Sequence, residues 1–383
     1  MYYGVLGQTA PFLPMVNSIT TLNQTTSGGL VVLSGFILVY GDGGIIYWNT
    51  GVGFTIWPNT AFFQLGTSKF IYAAPIRSGQ NVPALFWSLN SLAQGTLNPS
   101  ATDKVNFSDQ FLFSYISTRI TVMSPKSIVS LDPCFYWVGS DSFWMWNGAV
   151  QVLPNTVNKR WFFDNINPNQ TGKTFGFANT KWNEIWFVFC KGDATEPNWA
   201  LVYNIDNGSS YNTAWFDTDQ INRSAAVPSG SIIPYPLMSS SVPVQNGGNS
   251  VYPIYVHEYG VDAVEFFNTS PITAYIQSSY INLWAANAYS VNAKVAEIDT
   301  VILDVAQTGQ MYFYISYLGY PNSTVRQSDN FNFSSSTEFL TTRVRGSIFS
   351  ITFVSNTVGG DYVMGNTMLK MLATDDQRPG PTT

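Results

Sequence analysis

The side chains that usually carry out acid–base or metal chemistry are rare in this sequence. Its single histidine, His257, precedes Glu258, and an imidazole beside a carboxylate could act as a general acid–base pair. No second histidine and no Gly-x-Ser-x-Gly nucleophile elbow accompanies them. The two cysteines, Cys134 and Cys190, lie in aromatic runs, which favours buried free thiols over metal ligands. One histidine and two cysteines do not assemble an ordinary zinc site, so we expect neither a metal nor a cofactor.

Carboxylates are the remaining candidates for catalysis. Glycoside hydrolysis needs two of them on either side of the scissile bond, at a separation that sets the stereochemical outcome. The chain has 23 Asp and Glu residues, so the sequence alone pairs none of them, and turn or hydrogen-bonding roles are more typical of each. The residues considered are Asp132, Asp164, Glu184, Glu258 and Asp262.

Two arginines near the C-terminus are spaced for a strand. Arg343 and Arg345 alternate with uncharged residues, so on a strand both guanidinium groups point to one face. Such a pair could clamp the carboxylates of a neighbouring subunit, and two solvated charges are the equal alternative. We treat Arg343, Arg345, His257, Glu258 and Asp262 as candidate interface residues.

The composition predicts an all-β fold. Hydrophobic residues make up 45% of the chain, aromatic residues 16% and charged residues only 10%, against about 25% charged in a typical domain. Aromatic and β-branched side chains pack well on a pleated sheet, and Asn, Gly and Ser form its turns. Low charge suits a subunit embedded in an assembly, although some secreted monomeric β proteins share this composition.

Charge and hydropathy exclude other classes. The net charge is −6 and no Lys/Arg run occurs, so we expect no specific nucleic-acid binding. No apolar run approaches about 20 residues, and the N-terminus lacks a basic leader, so we expect no membrane insertion and synthesis in a cytoplasm.

Two segments resemble each other. Residues 39–51 and 137–148 both contain a strand, a glycine-centred turn and an aromatic strand that ends in Trp-Asn. Looser copies occupy residues 202–211 and 256–267. The matched residues, which we expect at structural hairpin turns, are Gly41 with Gly139, Trp48 with Trp146, and Asn49 with Asn147.

The hairpins recur with a period. Their first strands begin near residues 36, 85, 135, 185 and 254, and the first three intervals are close to 50 residues. A period of about 40–50 residues with several strands in each repeat is typical of β-propeller blades. We therefore predict a β-propeller over residues 1–270, with a Ser/Pro/Gly-rich loop at 224–248. Residues 271–383 lack the pattern and are predicted to form a smaller, β-sandwich-like platform module with an exposed tail from Asp375.

An ordered series of motifs resembles one family. The members of the series are Phe86–Asn90, Cys134–Phe143, Trp146–Pro154, Trp161–Ile166, Asn183–Phe187, Ala200–Asn204, His257–Asp262 and Thr342–Gly346. In this order they resemble the propeller region of podovirus-type bacteriophage tail hub or nozzle proteins, over roughly residues 30–372.

The resemblance implies a structural role in a virion. It implies a homo-hexamer at the distal end of a short phage tail, where the propellers surround an axial channel through which DNA passes without specific binding. The implied partners are other tail proteins: the adaptor and portal complex, tail fibres, and a plug or needle. The chain would then contribute to tail assembly and genome ejection, and would not be an enzyme. A glycan-binding or glycan-cleaving propeller at the host-contact end of the virion is the main alternative, and a soluble monomeric adhesin is a further one.

Overall fold

The computed structural model describes residues 2–3, 13–14, 27–51, 56–77, 82–131, 133–207, 214–219, 221–230, 232–266, 268–282, 295–320 and 322–373. The fold is all-β, as predicted, and α1 (Lys159–Asn165) is the one α-helix among these residues. The chain divides into two compact units, Met1–His257 and Glu258–Thr383. Asp132 and the tail from Asp375 to Thr383, which figured in the sequence predictions, lie outside the described residues.

The first unit contains four consecutive four-stranded antiparallel sheets, preceded by a short strand pair. In each sheet the strands are neighbours in chain order, so each is a meander. The strands are β1 (Tyr2–Tyr3) and β2 (Leu13–Pro14); β3 (Gly29–Leu33), β4 (Phe36–Tyr40), β5 (Ile45–Trp48) and β6 (Phe62–Gln64) in the first sheet; β7 (Phe70–Pro75), β8 (Ala84–Ser88), β9 (Leu92–Leu97) and β10 (Phe111–Ser117) in the second; β11 (Val129–Leu131), β12 (Cys134–Val138), β13 (Phe143–Trp146) and β14 (Val150–Leu153) in the third; and β15 (Phe175–Asn179), β16 (Glu184–Phe189), β17 (Trp199–Asn204) and β18 (Trp215–Asp219) in the fourth.

The repeat predicted from the sequence is present in these four sheets. Their second strands begin at Phe36, Ala84, Cys134 and Glu184, which confirms the interval of close to 50 residues. Three short 3-10 helices, at Asp42–Gly44, Pro125–Ser127 and Pro168–Lys173, lie in the connections, and α1 lies between the third and fourth sheets in sequence.

A fifth sheet departs from the prediction. It has three strands, β19 (Arg223–Val227), β20 (Leu237–Ser240) and β23 (Ile254–Val256), and a hairpin of β21 (Val244–Asn246) and β22 (Asn249–Val251) is inserted before the last. The predicted loop at 224–248 is therefore wrong. Five of the nine residues of β19 and β20 are Ser or Ala, which do not mark a strand in the sequence, and the buried hydrophobic residue Met238 anchors β20 in the core.

The core of the first unit lies between successive sheets. One apolar cluster joins the first and second sheets, another the second and third, a third the third and fourth, and a fourth the fourth and fifth. Across the second of these interfaces the rings of Trp87 and Trp137 meet edge to face at 6.0 Å, and across the third Phe143 meets Phe187 at 5.8 Å. Face-to-face packing of consecutive meanders is the packing of propeller blades.

Each end of this series exposes part of an apolar face. The outer face of the first sheet is partly covered, because Val39, which pairs with Leu30, is fully buried among Ile37, Tyr47 and Trp57. Among the described residues, no core cluster contains side chains of both the fifth sheet and the first. On the first sheet Leu30 and Val32 point away from the second sheet and are 48% and 56% exposed. On the fifth sheet Val227, Ile254 and Val256 are 61%, 69% and 48% exposed. Both end faces thus leave apolar side chains in solvent.

The second unit is a β-sandwich with side elements. One sheet has three strands, Phe339–Gly346, Ala296–Ile302 and Met368–Ala373, in that order. It shares one apolar core with a sheet of five strands, Ala274–Gln277, Ile348–Ser355, Met311–Leu318, Arg326–Gln327 and Phe331–Phe333. Phe313 and Phe353 stand at the centre of that core with their rings 5.4 Å apart. The strands are β24 (Asp262–Glu265), β25 (Asn268–Pro271), β26 (Ala274–Gln277), β27 (Ala296–Ile302), β28 (Val305–Thr308), β29 (Met311–Leu318), β30 (Arg326–Gln327), β31 (Phe331–Phe333), β32 (Phe339–Gly346), β33 (Ile348–Ser355), β34 (Asp361–Met364) and β35 (Met368–Ala373).

The packing between sheets predicts where a substitution is costly. Trp137 is fully buried between the second and third sheets, and its indole N–H donates to the Thr121 carbonyl at 3.1 Å. Because Trp137→Ala leaves a cavity and removes that bond, we expect it to lower the free energy of unfolding by about 3–5 kcal/mol. Trp182→Ala, at a half-exposed tryptophan, is the control and should change it by less than about 0.5 kcal/mol in urea titrations. Equal effects of the two substitutions would contradict this account.

Candidate functional site

The predicted hairpin residues of the first sheet have structural roles. Trp48 ends β5 fully buried, and its indole N–H donates to the Phe107 carbonyl at 2.8 Å. The Asn49 side chain accepts a hydrogen bond from the Ile37 amide at 2.8 Å, which ties the end of β5 to β4. Gly41 lies in the β4–β5 connection, directly before the 3-10 helix. These residues fold the sheet and offer no chemistry.

The second copy of the hairpin has the same order of strand, turn and strand as the first but a different register. Trp146 pairs with Phe135 and faces the preceding sheet, whereas Trp48 pairs with Leu38 and faces the following one. Gly139 opens the β12–β13 turn, where a Cβ atom would lie 2.4 Å from the Thr121 hydroxyl, so only glycine fits. Trp146 ends β13 buried, and Asn147 follows it in the β13–β14 turn. The looser copies are not equivalent. Residues 202–204 belong to the third strand of the fourth sheet, and residues 256–267 run from the last strand of the first unit into the second unit.

The carboxylates considered for glycoside hydrolysis have partners of their own. Asp164 forms an exposed ion pair with Arg160 at 3.3 Å, and Glu184 accepts from the Trp186 indole at 2.9 Å. Among the described residues, no group of three or more His, Cys, Asp and Glu side chains is arranged to hold a metal ion. Cys190 is a buried free thiol and Cys134 a half-buried one. Within that same part of the chain, no helix has the length and apolar character to cross a membrane.

Asp262 connects two segments that are distant in sequence. Its carboxylate accepts the Gly359 amide at 2.8 Å, 97 residues away, and so ties β24 to the turn before β34. Glu258 lies in the turn at Gly260 with a positive φ of 62°. The sequence pattern showed the turn but not the distant amide.

His257 is held by an arginine. Its Nε2 accepts from the Arg223 Nε at 2.9 Å, and its backbone amide donates to the Pro236 carbonyl. The Arg223 guanidinium also stacks on the Tyr255 ring at 4.2 Å. Burial, and then the neighbouring Arg223 charge, lower the pKa of His257 to about 4. The imidazole is therefore neutral near pH 7 and accepts a hydrogen bond from a fixed cation, while its pairing with Glu258 as an acid–base couple stays a prediction.

Arg343 and Arg345, which were predicted to share one face of a strand, both line the same cavity. The strand that carries them contains a bulge that the sequence did not indicate. β32 pairs with β27 through Val344 opposite Ile298 and Thr341 opposite Thr300, so two residues of β32 face the single Asp299. Arg343 takes up this bulge with a positive φ of 53°, a backbone conformation that costs free energy for a side chain of this size. The bulge leaves both arginines exposed on either side of the buried Val344.

Arg345 already has a partner in its own chain. Its Nε donates to the carboxylate of Glu297 on the central strand β27, and the Glu297 side chain is only 10% exposed. On the opposite edge, Lys370 of β35 pairs with Asp299 at 3.1 Å, and this contact lowers the pKa of the Asp299 carboxyl. The guanidinium of Arg345 thus neutralises a buried charge of its own unit, and the clamp on a neighbour's carboxylate stays a prediction.

Arg343 opens instead onto a cleft with a further arginine. The cleft has a volume of about 520 Å³ and contains three guanidinium groups, one carboxylate and two aromatic rings. In the described part of the chain neither Arg326 nor Arg343 forms an ion pair. The residues that line it are Tyr317, Arg326, Ser328, Asp329, Phe331, Thr342, Arg343, Val344 and Arg345. Arg326 lies on the two-residue strand β30, so no sequence pattern linked it to the other two. We call this site the arginine cleft.

Comparisons with known proteins leave the family open. The chain matches no known protein family and no curated protein. Among solved structures it is similar to a putative exported protein from Bacteroides fragilis, with 8% identity, coverage of 56% of this chain and 66% of that one, and a TM-score of 0.29. It is also similar to a glycoside hydrolase, with 11% identity, coverage of 86% and 81%, and a TM-score of 0.25. Likenesses this distant carry no functional argument.

The neutral histidine predicts a dependence of stability on pH. The folded-state pKa of His257 lies below the unfolded value of about 6.5, so the unfolded chain binds more protons between the two values. The contribution of His257 to stability is thus complete above about pH 6.5 and is lost as the pH falls towards 4, by about 2–3 kcal/mol in total. His257→Gln keeps an acceptor without titrating, and urea titrations at about pH 7 and about pH 4.5 should show a smaller loss for this variant. Equal losses in variant and wild type would sink the assignment.

The ion pair on β27 predicts a second effect on stability. Arg345→Gln leaves the Glu297 carboxylate buried without its cation, and we expect the free energy of unfolding to fall by about 1–3 kcal/mol. The double substitution Arg345→Gln, Glu297→Gln removes that charge and should recover most of the loss. Arg160→Gln breaks a fully exposed pair and serves as the control, with no measurable change expected. A double variant as unstable as the single one would contradict the buried-charge explanation.

Proposed function

We propose that this chain is a structural subunit of the tail of a short-tailed bacteriophage, in the hub or nozzle ring around the DNA exit channel. The ordered series of motifs suggested this assignment, and it is supported by four meanders at the predicted interval, packed face to face as blades. In this proposal the chain works in the virion beside the adaptor and portal complex, tail fibres and a plug or needle. It has no catalytic role.

The observation that carries the proposal is the pair of apolar faces at the ends of the sheet series. Inside the chain, each sheet buries its face on the next one. The exposed Leu30 and Val32 at one end, and Val227, Ile254 and Val256 at the other, are side chains of the same type without such a neighbour. A contact between the first sheet of one subunit and the fifth sheet of the next would bury both, at about 25 cal/mol per Å² of apolar surface. Two different faces in contact form a heterologous interface, which closes into a ring when the rotation between subunits divides a full turn and otherwise extends into an open filament. The proposal requires the closing rotation.

The charge of the chain agrees with a channel wall. With a net charge of −6, a ring of such subunits carries a negative charge overall and does not hold the DNA phosphates. In a ring of six copies the negative charges add, and their repulsion of the phosphates keeps the passing DNA from adhering to the wall. The function proposed for the wall is therefore steric: a rigid guide around the exit path.

The proposal predicts a ring whose formation depends on both end faces. Electron microscopy and native mass spectrometry of the purified chain, alone and with neighbouring tail proteins, should show a closed ring with a central channel and six copies. Val32→Glu or Ile254→Glu places a charge that must lose its water in the contact, and each should leave folded monomers.

Val105→Glu is the matched control, because Val105 is 80% exposed in the loop between β9 and β10 of the second sheet and belongs to neither end face, and its ring should form normally. A wild-type chain that stays monomeric both alone and with its partners would refute the ring. A ring that forms equally well with both end-face variants would refute the contact but leave the assembly itself in place.

A further inference from the structure

Three guanidinium groups converge on the arginine cleft with little negative charge to balance them. Arg345 is neutralised by Glu297, which leaves Arg326 and Arg343 facing a cavity whose one carboxylate belongs to Asp329. Like charges that converge in a concave site repel each other, and a bound anion relieves that repulsion. We propose that the arginine cleft binds a saccharide that carries a carboxylate group.

The backbone at Arg343 supports a binding role. A residue with positive φ in the middle of a strand costs free energy, and glycine would remove that cost. Past the bulge, Arg343 and Arg345 alternate with the buried Val344 and open onto one cavity. The strained conformation therefore places a charge in the cleft, where it has no ion-pair partner within the described residues.

The chemistry of the walls selects the ligand. A guanidinium group binds a planar carboxylate through two parallel hydrogen bonds. Tyr317 and Phe331 are half-buried, with one face of the Phe331 ring stacked on Phe313, and they supply apolar surface in the wall of the cleft for a sugar ring. Asp329 can accept hydrogen bonds from the hydroxyl groups of the sugar. The volume of about 520 Å³ lies in the range of sites for small ligands.

The same features disfavour other anions. A nucleic acid or a polyphosphate would bring several negative charges against Asp329 and against a chain with a net charge of −6. An acidic side chain of a neighbouring subunit needs no concave site with two aromatic walls. The cleft suits a ligand with one carboxylate, several hydroxyl groups and an apolar ring face. An acidic sugar has all three of these features.

This site adds a function to the proposed ring and does not depend on it. All residues of the cleft belong to the second unit, whereas the proposed ring contact belongs to the first. Sugar binding therefore survives in a chain that fails to assemble, and assembly survives in a chain that binds no sugar.

The test is calorimetric titration of the full chain with trigalacturonate and, in parallel, with sialyllactose. We expect at least one of these acidic sugars to bind, and maltotriose, which is neutral, to give no signal. Arg326→Gln and Arg343→Gln should each weaken binding by about tenfold or more, since each removes a charge-assisted hydrogen bond. Arg119→Gln, at an exposed arginine of the first unit, is the matched control and should bind as the wild type does.

A second variant separates binding from folding. Arg343→Gly removes the guanidinium and relieves the positive φ, so it should raise the melting temperature while the acidic sugar binds about tenfold more weakly or not at all. Three results overturn the proposal: no binding of either acidic sugar at millimolar concentration, unchanged binding by the three arginine variants, or tighter binding of tetraglutamate than of both sugars. The last result would assign the cleft to a protein carboxylate. Native mass spectrometry of the Val32→Glu chain tests the proposed ring, and calorimetric titration of the same preparation tests sugar binding. Each of the two proposals can therefore fail on its own.

Discussion

The structure of the first unit depends on the burial of both faces of its middle sheets. A sheet that packs against a neighbour on each side needs apolar residues at every position, and this removes the alternation that marks a strand with one face in water. All five residues of β8 are buried, as are the last four of β12. The aromatic runs of the sequence follow from this constraint, since large flat side chains fill the space between sheets and their edge-to-face contacts add to it.

The same constraint explains which strands could be predicted. Where a continuous apolar run ends in a glycine turn, as at Gly41 and Gly139, the sequence locates a second strand to within a residue or two. Where the strand is made of small residues, as in β19, neither hydropathy nor aromatic content marks it, and only its pairing with β20 defines it. The predicted copy at 202–211 begins in the third strand of the fourth sheet, whereas the copies at 39–51 and 137–148 begin in the second strand of their sheets. The sequence after β17 resembles the sequence that follows the second strand in those earlier sheets.

The arginine cleft was predictable only in part. The spacing of Arg343 and Arg345 indicated a common face, but it did not indicate the bulge at Arg343, which arises from the pairing of β32 with β27 around Asp299, 44 residues away in sequence. The same long-range pairing of β27 with β32 places Glu297 opposite Arg345, which it neutralises. Arg326 enters the cleft because β30 pairs with the C-terminal end of β29, and two residues of strand leave no periodic pattern to read. Local sequence specifies the strands, and their register specifies the site.

The arrangement of charge across β32, β27 and β35 separates stability from function within one sheet. Two carboxylates on the central strand, Glu297 and Asp299, each pair with a cation on an edge strand, and these pairs keep the central strand from burying an unpaired charge. Arg343 adds a further positive charge in a costly backbone conformation without completing either pair. Stability alone would favour glycine at that position. Part of the compensating gain comes from the neighbouring Asp299 carboxyl, whose pKa Arg343 helps to lower, and an anion bound in the cavity onto which Arg343 opens would add to it.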